Sequence, residues 1–270
     1  MKFNKTVTDI VAEAEEKLAE KFAEFDRIAF ENTSRVLDAF RAHKLSDSMF
    51  AGTTGYGYND KGRDALDLIY ADVFGAEAAL VRHNIVNGTQ TIAIGLYALL
   101  RPGDVMLSVT GKPYDTLEKV IGINPDCTPC KTGEGSLADF GVIYDQVELL
   151  PDGSIDFPGI KAKIEEHGSK IKVVFIQRSK GYMTRPTLSV ETIGEIAKFS
   201  KALCDAYVVV DNCYGEFCET IEPTAVGADM ILGSLIKNAG GGTALSGGYI
   251  AGTKKAVELA SYRHTTVGTG

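Results

Sequence analysis

Tyr207-Val208-Val209-Val210-Asp211-Asn212-Cys213-Tyr214-Gly215-Glu216-Phe217 carries an acid out of an apolar, β-branched run. Continuous runs of this kind, without polar alternation, belong to strands buried on both faces of a sheet. Asp211 then stands at the carboxyl end of such a strand. A second short run, Met230-Ile231-Leu232, leads into Gly233-Ser234-Leu235-Ile236-Lys237-Asn238, which brings a lysine into surroundings of small residues. Apolar surroundings oppose both charges, so each group needs a partner or a chemical use.

Outward from these two runs, strand-like and helix-like segments alternate. Ala79–Val81, Val105–Ser108, Val173–Ile176 and Gly248–Ala251 read as further strands. Gly88 to Leu100, Asp64 to Phe74 and Val190 to Leu203 read as helices. Gly75 is a plausible C-cap for the second of these, and Arg101-Pro-Gly-Asp104 is a turn. Alternation of this kind predicts an α/β protein with a mostly parallel sheet between helices. Residues 8 to 44 form an N-terminal helical segment, with Val11, Ala14, Leu18, Phe22, Phe25 and Ala29 on one apolar stripe. A new helix is expected from Asn32-Thr33. The stripe either covers the chain's own core or packs on another subunit. Gly52 to Arg63 is too rich in glycine for regular structure, and Asn124 to Gly141 reads as an excursion over the sheet.

The chain has 270 residues, 44% apolar and 24% charged, with a formal net charge of -8. That size supports a substantial core. The acidic balance offers no basic stripe for a nucleic-acid backbone. No apolar run is long enough to span a membrane. Five cysteines and a polar start without an apolar signal core point to a reducing, cytoplasmic setting. Cys127-Thr-Pro-Cys130 has the spacing of a metal knuckle but lacks a second pair of ligands, so no metal is expected.

In open parallel sheets, ligands sit beyond the carboxyl ends of the strands, and four features fall there. Gly88-Thr89-Gln90 starts a helix whose free N–H groups make either an anion cup or an ordinary N-cap. Tyr114, in the segment after the strand ending at Ser108, is an aromatic that could stack on a flat ring. Asp211 with Tyr214, then Ser234 with Lys237, complete the series. Ala239-Gly-Gly-Gly-Thr243 beyond the lysine would permit close approach to a ligand. Phosphate cup, aromatic, acid and lysine in this order suit pyridoxal 5'-phosphate. The lysine would form the Schiff base, and the acid would keep the ring nitrogen protonated.

These residues resemble fold-type I pyridoxal-phosphate enzymes. More closely, four stretches resemble the methionine gamma-lyase-like and cystathionine beta-lyase-like family linked to aluminium resistance. They are Gly55–Arg63, Phe175–Tyr182, Val210–Phe217 and Gly233–Gly242. The resemblance implies a large cofactor-binding domain over residues 61–270, preceded by a helical segment and loop over 1–60, with the family's small C-terminal domain absent. It implies that Asp211, Tyr214 and Lys237 are catalytic, and that Gly88, Thr89, Gln90, Tyr114 and Ser234 join them around the cofactor. It further implies that Tyr56, Tyr58 and Arg63 reach a cofactor phosphate across a subunit interface. The expected activity is a carbon–sulfur lyase acting on a small-molecule, sulfur-containing amino acid in a homodimer or homotetramer. An aminotransferase and an inactive fragment are the alternatives.

Overall fold

The computed structural model describes residues 4–53 and 58–269. One continuous helix, α1 (Lys5–Ala42), opens it, with the Asn4 side chain accepting from Thr6 N–H as the cap. The break expected at Asn32-Thr33 is not there. Asn32 is buried, and its side-chain amide donates to the carbonyls of Phe217 (3.0 Å) and Glu219 (3.1 Å). A residue that favours helix starts is here spent on tying α1 to the body, so it interrupts nothing. Along the rest of the helix Ile10, Phe25 and Phe30 are exposed.

The second helix, α2 (Lys61–Val73), is capped by Asp60 and stops just before Gly75, which takes the left-handed conformation at φ +61°. Then come β1 (Ala78–Arg82), α3 (Gly88–Leu99), β2 (Val105–Ser108), α4 (Asp115–Ile121) and β3 (Ile143–Gln146). They are followed by α5 (Phe157–His167), β4 (Ile171–Gln177), α6 (Val190–Leu203), β5 (Tyr207–Asp211), β6 (Met230–Ser234), β7 (Gly248–Gly252) and α7 (Lys254–His264).

The seven strands lie in the order β1-β7-β6-β5-β4-β2-β3. Every neighbouring pair is parallel except the two that β7 makes, with β1 and with β6. The parallel strands β2, β4, β5 and β6 therefore end on one edge. Two apolar layers cover the faces. Ile69, Ile160, Ile193 and Ile196 bring α2, α5 and α6 onto one side, and Ile92, Leu96, Leu117 and Val257 bring α3, α4 and α7 onto the other. Fully burying a Val or Ile stabilises by about 1.5–3 kcal/mol, and Val208, Val209 and Val210 are all inaccessible. That central burial fixes where the acid at position 211 emerges.

Close packing extends between strands. A Cβ on Gly233 would stand 2.3 Å from the nearest ring carbon of Tyr249. Gly233→Ala should therefore lower stability by about 1–3 kcal/mol, as overpacked cores do, and appear as a fall in the thermal midpoint.

Candidate active site

At the carboxyl edge of the sheet, β5 delivers Asp211 and β6 delivers Ser234. The turns beyond them converge on one cavity of about 380 Å³. Asp211 and Lys237 both line it, together with Gly88, Thr89, Tyr114, Tyr214 and Ser234.

The acid's position is locked by main-chain bonds. The Asp211 carbonyl accepts from Arg178 N–H (3.1 Å), its Oδ1 accepts from Cys213 N–H (3.1 Å), and Asn212 N–H donates to the Leu232 carbonyl (2.9 Å). Tyr214 follows in the left-handed region at φ +68°, a conformation a bulky residue holds only when its surroundings enforce it. Arg178 does the enforcing from below. It is almost fully buried and donates through Nη1 to Asn212 Oδ1 (2.8 Å) and to the Gly215 carbonyl (2.8 Å). The guanidinium lies so close that a Cβ on Gly215 would stand 2.4 Å from Arg178 Cδ.

Lys237 reaches the same space from the β6 side, with Nζ 4.2 Å from the centre of the Tyr214 ring. Its neighbour Asn238 donates to the carbonyls of Tyr214 (3.2 Å) and Glu216 (3.1 Å), which joins the lysine loop to the acid's turn. Burial pushes the Asp211 carboxyl up, and the Cys213 bonds with the Lys237 and Arg185 charges pull it back only in part. Burial opposes the Lys237 charge, but Cys213, Asp211 and Tyr214 facing it outweigh that and push its ammonium up. Among the described residues no ion pair engages either side chain. The buried acid thus faces a cavity able to take a cation.

Near Ser234 lies the start of α3, capped by the Asn87 side chain. The N–H groups of the first helical turn have no intrahelical acceptor, and Gly88 and Thr89 line the cavity. A Cβ on Gly88 would meet both Cys213 Sγ and Ser234 Cβ at 3.3 Å, so backbone and strand end approach closely here. Thr89 Oγ1 is 2.8 Å from Thr116 Oγ1. Gln90 is placed differently from the sequence reading. Its N–H is capped by Asn87 Oδ1 (2.9 Å) and its Oε1 accepts from Val86 N–H (2.7 Å), so its side chain serves the helix start outside the cavity.

Tyr114 lines the cavity with its ring 5.5 Å from that of Tyr182. Its N–H donates to Gln177 Oε1 (2.6 Å), which fixes the loop. Tyr58 and Arg63 are not among the residues that line this cavity, and Tyr56 lies outside the described residues. Arg63 sits at the start of α2, 3.8 Å from Asp64 Oδ1. Of the glycines after Lys237, Gly241 and Gly242 have open space around them and Gly240 does not. A Cβ on Gly240 would stand 1.7 Å from the Leu235 carbonyl oxygen, so the close approach is to the chain itself.

Sequence reasoning missed Asn87, Thr116, Ser179, Gly181, Tyr182 and Cys213 as lining residues. Asn87-x-x-Gln90 has capping-box spacing, the one signal that separates these two residues' roles in advance. Cys213 lay inside the quoted motif, and its thiol is pushed far up by burial.

The fold is similar to that of the pyridoxal-5'-phosphate-dependent protein YhfS from Escherichia coli, 18% identical with a TM-score of 0.67 over 91% of this chain and 59% of that one. The chain belongs to the methionine gamma-lyase family, which matches residues 7–270. A Listeria innocua protein, provisionally named a cystathionine beta-lyase involved in aluminium resistance, is 49% identical with a TM-score of 0.93; the match covers 100% of this chain and 64% of that one. A carbon–sulfur lyase involved in aluminium resistance from Clostridium novyi NT is 46% identical with a TM-score of 0.92, covering 99% and 62%. The uncharacterized protein YnbB of Bacillus subtilis (strain 168) is 49% identical over 261 residues, 96% of this chain and 60% of its own length. The chain thus spans about three-fifths of the relatives it matches. Among the described residues no helix is long and apolar enough to cross a membrane.

Proposed function

We propose that this chain carries the cofactor site of a pyridoxal-phosphate-dependent carbon–sulfur lyase that acts on a sulfur-containing amino acid by β- or γ-elimination. The observation that carries the proposal is the placing of Asp211 and Lys237 on one cavity whose wall also holds the α3 start and Ser234. The residues fit the group: a buried acid without an ion-paired cation for the ring nitrogen, a lysine for the aldehyde, and N–H groups with a hydroxyl for the phosphate. When bound, pyridoxal phosphate supplies an electron sink for the electrons left at the substrate's α carbon.

The chain's own groups do the rest. Lys237 Nζ would hold the cofactor's aldehyde and, as a free amine, would take the substrate's α proton. Asp211 would keep the ring nitrogen protonated, a task suited to a buried carboxylate held in no ion pair. Tyr114 covers one face of the cavity, and Tyr214, held by Arg178 and Asn238 through its turn, stands against Lys237. The exposed apolar stripe of α1 supports assembly into a homodimer or larger homo-oligomer. The acidic chain and its small cavity suit a free amino acid, and we place the activity in the cytoplasm.

The test is direct. Purified protein mixed with pyridoxal phosphate should gain a visible absorbance band, and borohydride reduction should leave one adduct that mass mapping assigns to Lys237. With a sulfur-containing amino acid, ammonia and a 2-oxo acid should appear without an amino acceptor. Dependence on an acceptor would instead identify an aminotransferase, and an adduct on a different lysine would overturn the site. Tyr114→Ala should raise the dissociation constant for the cofactor about tenfold, close to 1.4 kcal/mol, through lost stacking. Equilibrium titration of the absorbance band measures it.

A further inference from the structure

Beneath the turn that follows Asp211 lies a polar cluster whose two glutamates the proposed chemistry does not use. Asp211, Glu216 and Glu222 are all buried there, while Arg178 is the one buried lysine or arginine among the described residues. Arg178 pairs through Nη2 with the half-buried Glu219 (2.6 Å), and Glu222 shares the cation from inside. Glu222 lies 3.6 Å from Arg178 Nη1, and its two oxygens also accept from Phe217 N–H (2.9 Å) and Asn212 Nδ2 (3.0 Å). Asp211 faces the cavity and the charges of Lys237 and Arg185. Glu216 is left with little. Its Oε1 accepts from the Tyr249 hydroxyl (2.9 Å), and its Oε2 is buried with no hydrogen-bond partner.

We propose that Glu216 serves as a neutral carboxylic acid that positions the turn bearing Asp211 and Tyr214, so that of the two acids without a buried cation it is Asp211 that keeps its negative charge. The proposal rests on reading Asp211 as the partner of the cofactor's ring nitrogen. No cation faces the Glu216 carboxyl: Glu222 and Asp211 are acids that favour its neutral form, Tyr249, Tyr70 and Cys213 are uncharged near neutrality, and only its own N–H and the Tyr249 hydroxyl favour the charged form. The Asn212 amide donates to Tyr249 Oη (3.3 Å), which aims the hydroxyl proton at Glu216. The backbone of the same residue is gripped by Asn238, so the side chain and main chain of Glu216 tie the turn to β7 and to the lysine loop together. A carboxylate without a countercharge at this depth would be driven toward water and would pull the turn with it.

Burial pushes this carboxyl from the ordinary 4.5 up to about 7, against its own N–H and the Tyr249 hydroxyl, with Glu222 and Asp211 adding to the rise. The unfolded chain therefore gives up its proton first. Between pH 4.5 and about 7 the folded state holds a proton that the unfolded state has lost, so stability falls as pH rises through that window and is lower by a constant amount above it.

Glu216→Gln cannot ionise. Its stability should lose this fall with pH, whatever constant offset the amide introduces. The infrared C=O stretch of a neutral carboxyl, present in cofactor-free wild type near about pH 6, should be absent in the variant. Tyr249→Phe removes the hydroxyl that donates to the carboxyl, so it should carry the same band to higher pH. A band that survives in Glu216→Gln and disappears in Asp211→Asn would place the proton on Asp211 and overturn the proposal. So would an unchanged pH slope in Glu216→Gln. Should Glu216→Gln not fold, infrared titration of wild type and Tyr249→Phe decides, and no neutral-carboxyl band in either sinks the idea. All of these readouts use protein without cofactor. Failure to bind pyridoxal phosphate would instead strike the reading of Asp211.

Discussion

Lys237→Ala protein is expected to show no visible cofactor band and to yield no borohydride-trapped adduct in the region of residue 237. Lys237 is the lysine that lines the cavity, and no other lysine among the described residues does so. Noncovalent binding should persist in part, because the α3 start, Ser234 and Asp211 are untouched. In the proposed role of proton acceptor at the substrate's α carbon, Nζ would contribute a further factor on the order of 10²–10⁴, so elimination should fall by at least that much. Fluorescence titration of the cofactor separates weakened binding from lost capture. Equal labelling of the variant would remove Lys237 from the proposed role.

Asp211→Asn should keep the cofactor and lose chemistry. Asparagine preserves shape and still accepts the Cys213 N–H, but it cannot hold a proton on a ring nitrogen. The charge that stabilises electrons flowing from the α carbon is then missing, and pre-organised electrostatic partners of this kind are worth about 10²–10³ in rate. The measurement is loss of the α deuteron from a labelled amino acid, followed by NMR. Exchange at the wild-type rate would leave Asp211 a structural acid. The two variants also differ in colour: the first should be colourless, the second coloured and slow.

The parts of the fold legible in the sequence are those whose burial leaves a compositional trace. Val208–Val210 and Met230–Leu232 are apolar throughout because helices cover both faces of the sheet. The edge strand β3 leaves no such trace, since Ile143 is exposed and Tyr144, Asp145 and Gln146 are only partly covered. Helices α5 and α7 carry few buried residues each, so their periodicity is faint. In the site, residues on strand ends were found because regular strands place them predictably. Ser179, Gly181 and Tyr182 come from an irregular segment after β4, where no period says which side chain turns inward. Gln90 stays off the cavity wall for a local reason, because its side-chain oxygen is held at the helix start by Val86 N–H. Asn32 went wrong for the opposite reason: its partners, Phe217 and Glu219, lie far along the chain.

Asn238 has one more implication. Its single amide nitrogen grips the carbonyls of two residues on the acid's turn, so the segments around positions 211 and 237 behave as one joined piece. Substitutions in either segment will disturb the other, and the losses from a double variant should not sum to those of the singles. Kinetic dissection of this site therefore calls for complete thermodynamic cycles that include position 238.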